Sequence, residues 1–491
     1  MSTPSLTRTP QAFSLPRPLP GAASIAAAGR WVSGAAALDR SNLMYYGYLV
    51  LLVFQYSDVV DRFSILKVSR VAVLLSYFIF LQVVSRVGVP DVLVERQSKI
   101  YLTFIVWTMA SIAWAVVRSN TLTALRPLID YFVFMIITVY VIDRRSRVNG
   151  MIVTLGLVAT YLIARNLGQL LSAARVGGFR APYFLGDGND FAWGLNVALP
   201  LMLALVLCQT RRSLKLVGLA ASAVCLFGIV GTQSRGGTLG LAAALVYGWC
   251  FVVRRKAVGV LALVAVAAGV LVVAPSGYFS RMQSVASYDE DNSAQGRLQA
   301  WGAAVRMASV YPLGVGAGNF NSAYGRWFNP STTGQGTARI DYAAARWISA
   351  HSTYFKTMGE YGFLGFTLLI CLIGANIVQN HRSRAVLRSA PEGAPFDERW
   401  PALINMSLVG YAVSGMFLGG LHYPHLFFLS ALTMGLHRVV RLERATVPGL
   451  RTIGAAGATP INRQSAVGQA VLEPSLVRLQ RLAIAAERRR R

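Results

Sequence analysis

Apolar residues along this chain come in blocks of roughly 18 to 22 separated by short polar breaks. A helix of about that length crosses the roughly 30 Å hydrocarbon core of a bilayer. Twelve such intervals stand out: residues 43–58, 70–85, 100–117, 127–142, 150–172, 190–209, 214–232, 236–253, 257–275, 351–379, 402–420 and 424–438. The expected fold is all-α, a polytopic transmembrane helical bundle of about 12 spans. Between the ninth and tenth spans lies one long polar segment, residues 276–350. Within it, Gly296 to Val310 reads as a short helix stopped by Pro312, with Leu298, Trp301 and Val305 on one face.

Charge gives this bundle an orientation. The chain has 47 Lys and Arg against 20 Asp and Glu, a formal +27, yet is 54% hydrophobic and only 14% charged, which excludes an ordinary soluble domain. Nucleic-acid binding is set aside because the arginines sit in short runs between apolar blocks, not on one amphipathic face. Positive residues beside a span resist translocation. With both termini inside, the inside segments hold 31 basic residues and the outside segments 14, and Arg165 and Lys356 fall within spans. The runs Arg144-Arg145-Ser146-Arg147, Arg211-Arg212 and Arg254-Arg255-Lys256 all mark inside loops.

The chain then divides into a basic cytoplasmic arm (1–42), nine spans (43–275), a large outside loop (276–350), three spans (351–440) and a basic cytoplasmic tail (441–491). The arm lacks a signal-peptide core, with an organellar transit peptide as the alternative. The tail reads as a weakly amphipathic basic helix on anionic membrane lipids. Cys208, Cys225, Cys250 and Cys371 lie in apolar blocks without metal-ligand spacing and read as small core residues; no metal or cofactor is expected. No repeat of matching broken spans is visible, which argues against an inverted-repeat transporter.

Candidate chemistry gathers at the outside face. Ser234-Arg235-Gly236-Gly237 opens the eighth span, and a planar guanidinium there suits phosphate oxygens; the alternative is a snorkelling arginine with Gly236 and Gly240 as a packing face. Arg297 and Arg306 are nine residues apart, half a turn out of phase, so only one serves a common pocket. Arg297 is preferred because Trp301 at i+4 can lay it against the membrane mouth. The run Pro312 to Phe320 lacks the dinucleotide fingerprint and reads as a flexible turn.

His351, at the start of the tenth span, titrates near neutrality and can take a proton from a hydroxyl. Glu360, deeper in that span, is either functional or a structural partner of Lys356 or Arg165. His422 and His425 form a weak metal signal beside the reading of an interfacial aromatic turn. Asn189 and Asp190 are explained by turn and cap chemistry, yet they also put polar groups at the mouth near Arg180.

The order of these features resembles the O-antigen ligase and polymerase superfamily of membrane glycosyltransferases, which includes bacterial O-oligosaccharyltransferases. The succession is Arg180 with Asn189-Asp190, Ser234-Arg235-Gly236, Arg297 with Trp301, Pro312 with Gly316, and His351 followed by Glu360 and Gly362. The likeness covers roughly residues 175–440. It implies a multi-pass enzyme of the bacterial inner membrane with a periplasmic loop and active site, acting on a polyprenyl-pyrophosphate-linked glycan (undecaprenyl pyrophosphate) without metal or nucleotide. By the same resemblance His351 is the catalytic histidine and Arg235 and Arg297 hold the pyrophosphate. Arg180, Asn189, Asp190, Ser234, Trp301 and Glu360 are supporting candidates, and residues 324–347 offer aromatic faces for sugar rings.

The reaction so implied is an inverting displacement. It is placed first in lipopolysaccharide or other surface polysaccharide biosynthesis, as ligation to an acceptor glycolipid, then as polymerisation onto a glycan, then as transfer to a protein. A transporter of lipid-linked glycans is the alternative of another class; it needs polar groups lining a mid-membrane path.

Overall fold

The computed structural model describes residues 41–87, 91–176, 187–274, 278–279, 292–328, 349–389, 396–421 and 423–446. Arg180 and His422, both termini and most of the aromatic run 324–347 lie outside these residues. Helices fall on all twelve sequence intervals: α1 (41–56), α2 (Val71–Val87), α3 (Arg96–Ala110), α4 (Arg118–Val141), α5 (Arg145–Arg165), α6 (Gly188–Cys208), α7 (Arg212–Gly231), α8 (Arg235–Phe251) and α9 (Lys256–Val273), then, after one intervening helix, three more. The intervening helix is α10 (Asn292–Val310), followed by α11 (Thr353–Arg388), α12 (Arg399–Ser414) and α13 (His425–Thr446).

No strand occurs among the described residues. Among the described residues five helices, α4, α5, α6, α7 and α11, are long and apolar enough to cross a membrane; α2 and α9 are apolar but shorter. Boundaries shift where breakers were read too strictly. Helix α4 begins at Arg118 with Pro127 inside it, and the 150–172 interval is two helices meeting at Asn166. Two cysteines differ from expectation as well: Cys208 and Cys225 are buried, but Cys250 and Cys371 face outward from apolar helices.

Helix α6 is the axis of the bundle, packed by α7, α8 and α12. Its Trp193 stacks on Tyr411 at 4.9 Å and donates to the Tyr411 carbonyl at 2.9 Å. Asn196 donates to the Gly237 carbonyl at 2.8 Å and to Ser414 Oγ at 3.2 Å, a polar tie between apolar faces. The α8–α12 crossing depends on Gly240, where a Cβ would sit 1.9 Å from Ser414 Oγ.

One end of the bundle is rich in arginine. Arg145 donates to the Cys208 carbonyl and Arg399 to that of Leu207, so foreign side chains satisfy the last carbonyls of α6. Arg384 does the same for Phe251 at the end of α8. Glu398 gathers Arg254 and Arg388; burial alone would raise its carboxyl, but these hydrogen bonds outweigh that and hold it below the usual range.

At the opposite end the buried Asp58 pairs with Arg165 at 2.7 Å, so Arg165 serves Asp58 and not Glu360. Removing one partner of such a pair strands a buried charge. Arg165→Leu should therefore lower the melting temperature of the detergent-purified protein more than the double change Arg165→Leu/Asp58→Leu. Additive losses would show the pair to be uncoupled.

Helix α11 is broken. Gly362 adopts φ 68° and ψ −166°, about 13 Å along the helix from Thr353, which frees three carbonyls. Val315 N–H donates to the Gly359 carbonyl at 3.0 Å, Gly316 N–H to that of Glu360 at 3.0 Å, and the Trp107 indole to that of Tyr361 at 2.9 Å. Phe363 N–H in turn donates to the Pro312 carbonyl at 3.2 Å. At membrane depth each of these groups would otherwise cost several kcal/mol.

The stretch expected to be a flexible turn is thus a hydrogen-bonded plug. Its other side is pinned by α4 and the residues before it: Thr121 donates to the Ala317 carbonyl at 2.9 Å, Val117 N–H to Asn319 at 3.0 Å, and the Trp114 indole to the Gly314 carbonyl at 3.1 Å. A small second core, built on Ala300, Ala303, Ala304 and Met307 of α10 with Phe320 and Ala350, joins the plug to the start of α11.

Candidate active site

Of the helices that begin at the end opposite the arginine-rich one, α6, α8 and α11 each start under a side-chain cap. Asp187 caps α6 and accepts both the backbone N–H and the side-chain amide of Asn189, each at 2.8 Å. Ser234 caps α8 by accepting from Gly237 N–H at 3.0 Å, and its hydroxyl donates to Asn189 Oδ1 at 2.7 Å, so the two helix starts are locked together. Ser352 caps α11. The positive ends of three helix dipoles therefore meet here, which favours an anion.

Arg235 is the first residue of α8 and is half-buried. The residue two before it, Gln233, is buried with φ 53°, and so belongs to a turn that only the surrounding packing holds. A Cβ at Gly236 would meet Phe417 Cβ at 2.8 Å, so the start of α8 lies directly against the loop between α12 and α13. The Phe417 ring is 6.4 Å from that of Trp301, which stacks on Phe355 at 4.9 Å. Trp301 also donates to the Ala350 carbonyl at 2.9 Å. It thereby pins the backbone entering α11.

His351 follows directly, with φ 44°, a left-handed conformation held by its neighbours. Thr353 N–H donates to the Gly415 carbonyl at 2.9 Å, Thr353 Oγ1 to that of Leu418 at 2.8 Å, and a Cβ at Gly419 would stand 3.4 Å from His351 Cα. The imidazole keeps one side open to solvent, yet the surrounding protein removes enough water to lower its pKa. Arg297 is the next cause, Lys356 adds to it, and Asp187 opposes. Burial and the Arg297 guanidinium, within electrostatic reach, thus both favour the neutral form of this imidazole.

The remaining candidates separate. Arg306 points away and donates to the Phe328 carbonyl at 3.5 Å. Glu360 is buried, 4.0 Å from Lys356, and accepts from Phe320 N–H at 3.2 Å, so its carboxylate anchors the second core. Asp190 accepts from the Tyr423 hydroxyl at 2.7 Å, tying α6 to the loop before α13. His425 is buried among the rings of Tyr56, Trp193 and Tyr423. Of the aromatic run, Tyr324 packs on Phe320 and Trp327 is exposed beside Tyr311.

The turn Asp187-Gly188-Asn189-Asp190 is evident in the sequence with the cap expected at Asn189 and Asp190, whereas Asp187 is the residue that caps α6, and Phe417 is not singled out by the sequence at all. The Ser234 tie yields a direct test. Ser234→Ala removes a helix cap and the link to Asn189, and should destabilise the protein by about 1–2 kcal/mol, with Ser234→Thr restoring most of it. Equal thermal unfolding of Ser234→Ala and wild type would remove the tie from the account.

The fold is that of a multi-pass helical membrane protein, with the capped starts of α6, α8 and α11 at one end of its bundle. Residues 220–370, about a third of the chain, match the O-antigen ligase family model, a stretch that contains Arg235, Arg297, Trp301, His351 and Glu360. Over that stretch the chain is similar to the O-antigen ligase family. A search among curated proteins finds no match.

Proposed function

We propose that this protein transfers a glycan from a polyprenyl-pyrophosphate donor to an acceptor hydroxyl at the periplasmic face of a bacterial inner membrane. The observation that carries the reading is the end of the bundle where the capped helices α6, α8 and α11 begin, with Arg235 opening α8 and His351 just ahead of α11, its pKa lowered by burial and then by the Arg297 charge. The arginine-rich end faces the cytoplasm, in keeping with the loop charges.

A glycosyl pyrophosphate already carries a good leaving group. His351 takes the proton of the acceptor hydroxyl as its oxygen attacks the anomeric carbon from the opposite face. The bond from that carbon to the pyrophosphate oxygen breaks, and polyprenyl pyrophosphate departs with its negative charge held by Arg235 and Arg297. The product linkage is inverted. A positioned base is worth about 10² to 10⁴ in rate, and donors aimed at the developing charge a comparable factor. Asp187, Asn189 and Ser234 hold the helix starts in register, and Trp301 holds the backbone that presents His351.

The acceptor is first a glycolipid of the lipopolysaccharide core, second the end of a growing glycan, and third a protein. The test offers the purified protein a defined polyprenyl-pyrophosphate glycan with each acceptor in turn. Transfer to one of them with stoichiometric release of polyprenyl pyrophosphate is expected. If every acceptor leaves the donor intact while sealed vesicles carrying the protein move it across the bilayer, the protein is a transporter instead.

A further inference from the structure

We propose that the arginine-rich end of the bundle binds the head group of an anionic phospholipid with two phosphates, of the cardiolipin type, at the arginines gathered on Glu398. The inference stands apart from the transferase reading. Glu398 lies just ahead of α12, the helix on which α8 and α11 both pack. Arg254, shortly past the end of α8, places Nη2 2.8 Å from Glu398 Oε1. Arg388, the last residue of α11, places Nε 2.5 Å from Oε2. Arg384, one turn earlier, has its Nε 3.9 Å from the same oxygen.

Charge does not balance here. Three guanidinium groups meet a single carboxylate, so positive charge is left over. The neighbouring Asp397 does not absorb it, because Arg399 engages both of its oxygens, at 2.8 and 2.6 Å. The two outer arginines also have donors to spare. Arg254 and Arg388 are 72% and 58% exposed, and among the described residues each makes one hydrogen bond, to Glu398. A guanidinium carries several N–H donors in a planar fork suited to phosphate oxygens. Because the two arginines meet opposite oxygens of the carboxylate, they offer one phosphate position on each side of it.

The same helices indicate what carries the phosphates. Toward the middle of the bundle from the arginines, Val246 and Phe251 on α8 and Val378 on α11 are exposed apolar residues. A free anion meets only the guanidinium groups, whereas a phospholipid also lays its acyl chains along these side chains. The buried Arg384 donates to the Phe251 carbonyl and so joins α8 to α11 at the site. A lipid held there braces two helices whose other ends carry Arg235 and follow His351.

The experiment titrates the full chain, purified in detergent, with cardiolipin and separately with phosphatidylcholine, and counts bound lipid by native mass spectrometry. One cardiolipin should be retained at concentrations where phosphatidylcholine is not, and it should raise the melting temperature. Arg254→Gln/Arg388→Gln should weaken that binding roughly tenfold or more. Arg254→Gln alone, which leaves Arg384 and Arg388 on Glu398, should weaken it several-fold and keeps the test readable if the double variant fails to fold. Arg211→Gln/Arg212→Gln removes the same charge from exposed positions at the same end and should change affinity by less than about twofold. Equal losses in the two double variants would reduce the effect to general attraction and overturn the proposal, as would equal retention of phosphatidylcholine. Displacement of cardiolipin by inorganic pyrophosphate at matching concentration would overturn it in favour of a soluble anion.

Discussion

Replacing His351 with asparagine is expected to reduce glycan transfer by about 10² to 10⁴ while the protein still folds. Asparagine is the informative choice because it tolerates the left-handed backbone that His351 adopts at φ 44°. An alanine there would mix loss of the base with backbone strain. The same residue sets a pH dependence whose sign follows from its surroundings. Burial, and then Arg297, lower the imidazole pKa below its ordinary 6.5, so the neutral, proton-accepting form persists to lower pH. The acid limb of kcat/KM should therefore inflect below 6.5. Arg297→Gln removes a repelling charge and should shift that limb, in the residual activity, to higher pH. A limb that stays put in Arg297→Gln would show that these two groups do not face a common space.

The second large effect concerns folding. Gly362→Ala should leave no monodisperse protein recoverable from the membrane. An added Cβ would lie 2.0 Å from the Pro312 carbonyl oxygen and 2.7 Å from Gly314 N, in a left-handed conformation that alanine resists. The plug would have to withdraw, and the Gly359 and Glu360 carbonyls would lose their partners inside an apolar bundle. Two stranded backbone groups at several kcal/mol each approach the whole stability of a typical fold, about 5–15 kcal/mol. Gly374→Ala on the same helix is the control, since a Cβ there meets nothing within 4 Å. It should unfold at the wild-type temperature; equal behaviour of the two variants would contradict the plug.

These two residues also mark how far the sequence could be read. His351, Arg235 and Arg297 stand out as candidates because each sits in a short local pattern at the edge of an apolar block, and the order of those patterns carries a family likeness. Helix existence followed from hydrophobic period for the same reason. The plug was misread because its meaning is nonlocal: Gly314 and Gly316 look like a loose turn until Gly359 and Glu360 are brought opposite them by the break in α11. Arg165 had Glu360 as one plausible partner within the bundle, and only packing shows that Asp58 takes it. The Trp301 contacts with Ala350 and Phe355 are not legible, because spacing along a helix says which residues share a face but not what lies across from it. Phe417 joins α8 to α10 from a loop with no motif.

The central claim is a division of labour in which Arg235 and Arg297 bind the pyrophosphate and His351 moves the proton. Its most direct test is the affinity of the purified protein for polyprenyl pyrophosphate without a sugar, measured for wild type, His351→Asn, Arg235→Gln and Arg297→Gln. The account predicts that His351→Asn binds within about threefold of wild type, whereas each arginine variant loses roughly tenfold or more, the value of a charge-assisted contact. Arginine variants that bind as tightly as wild type, or a histidine variant that loses binding as they should, would contradict it.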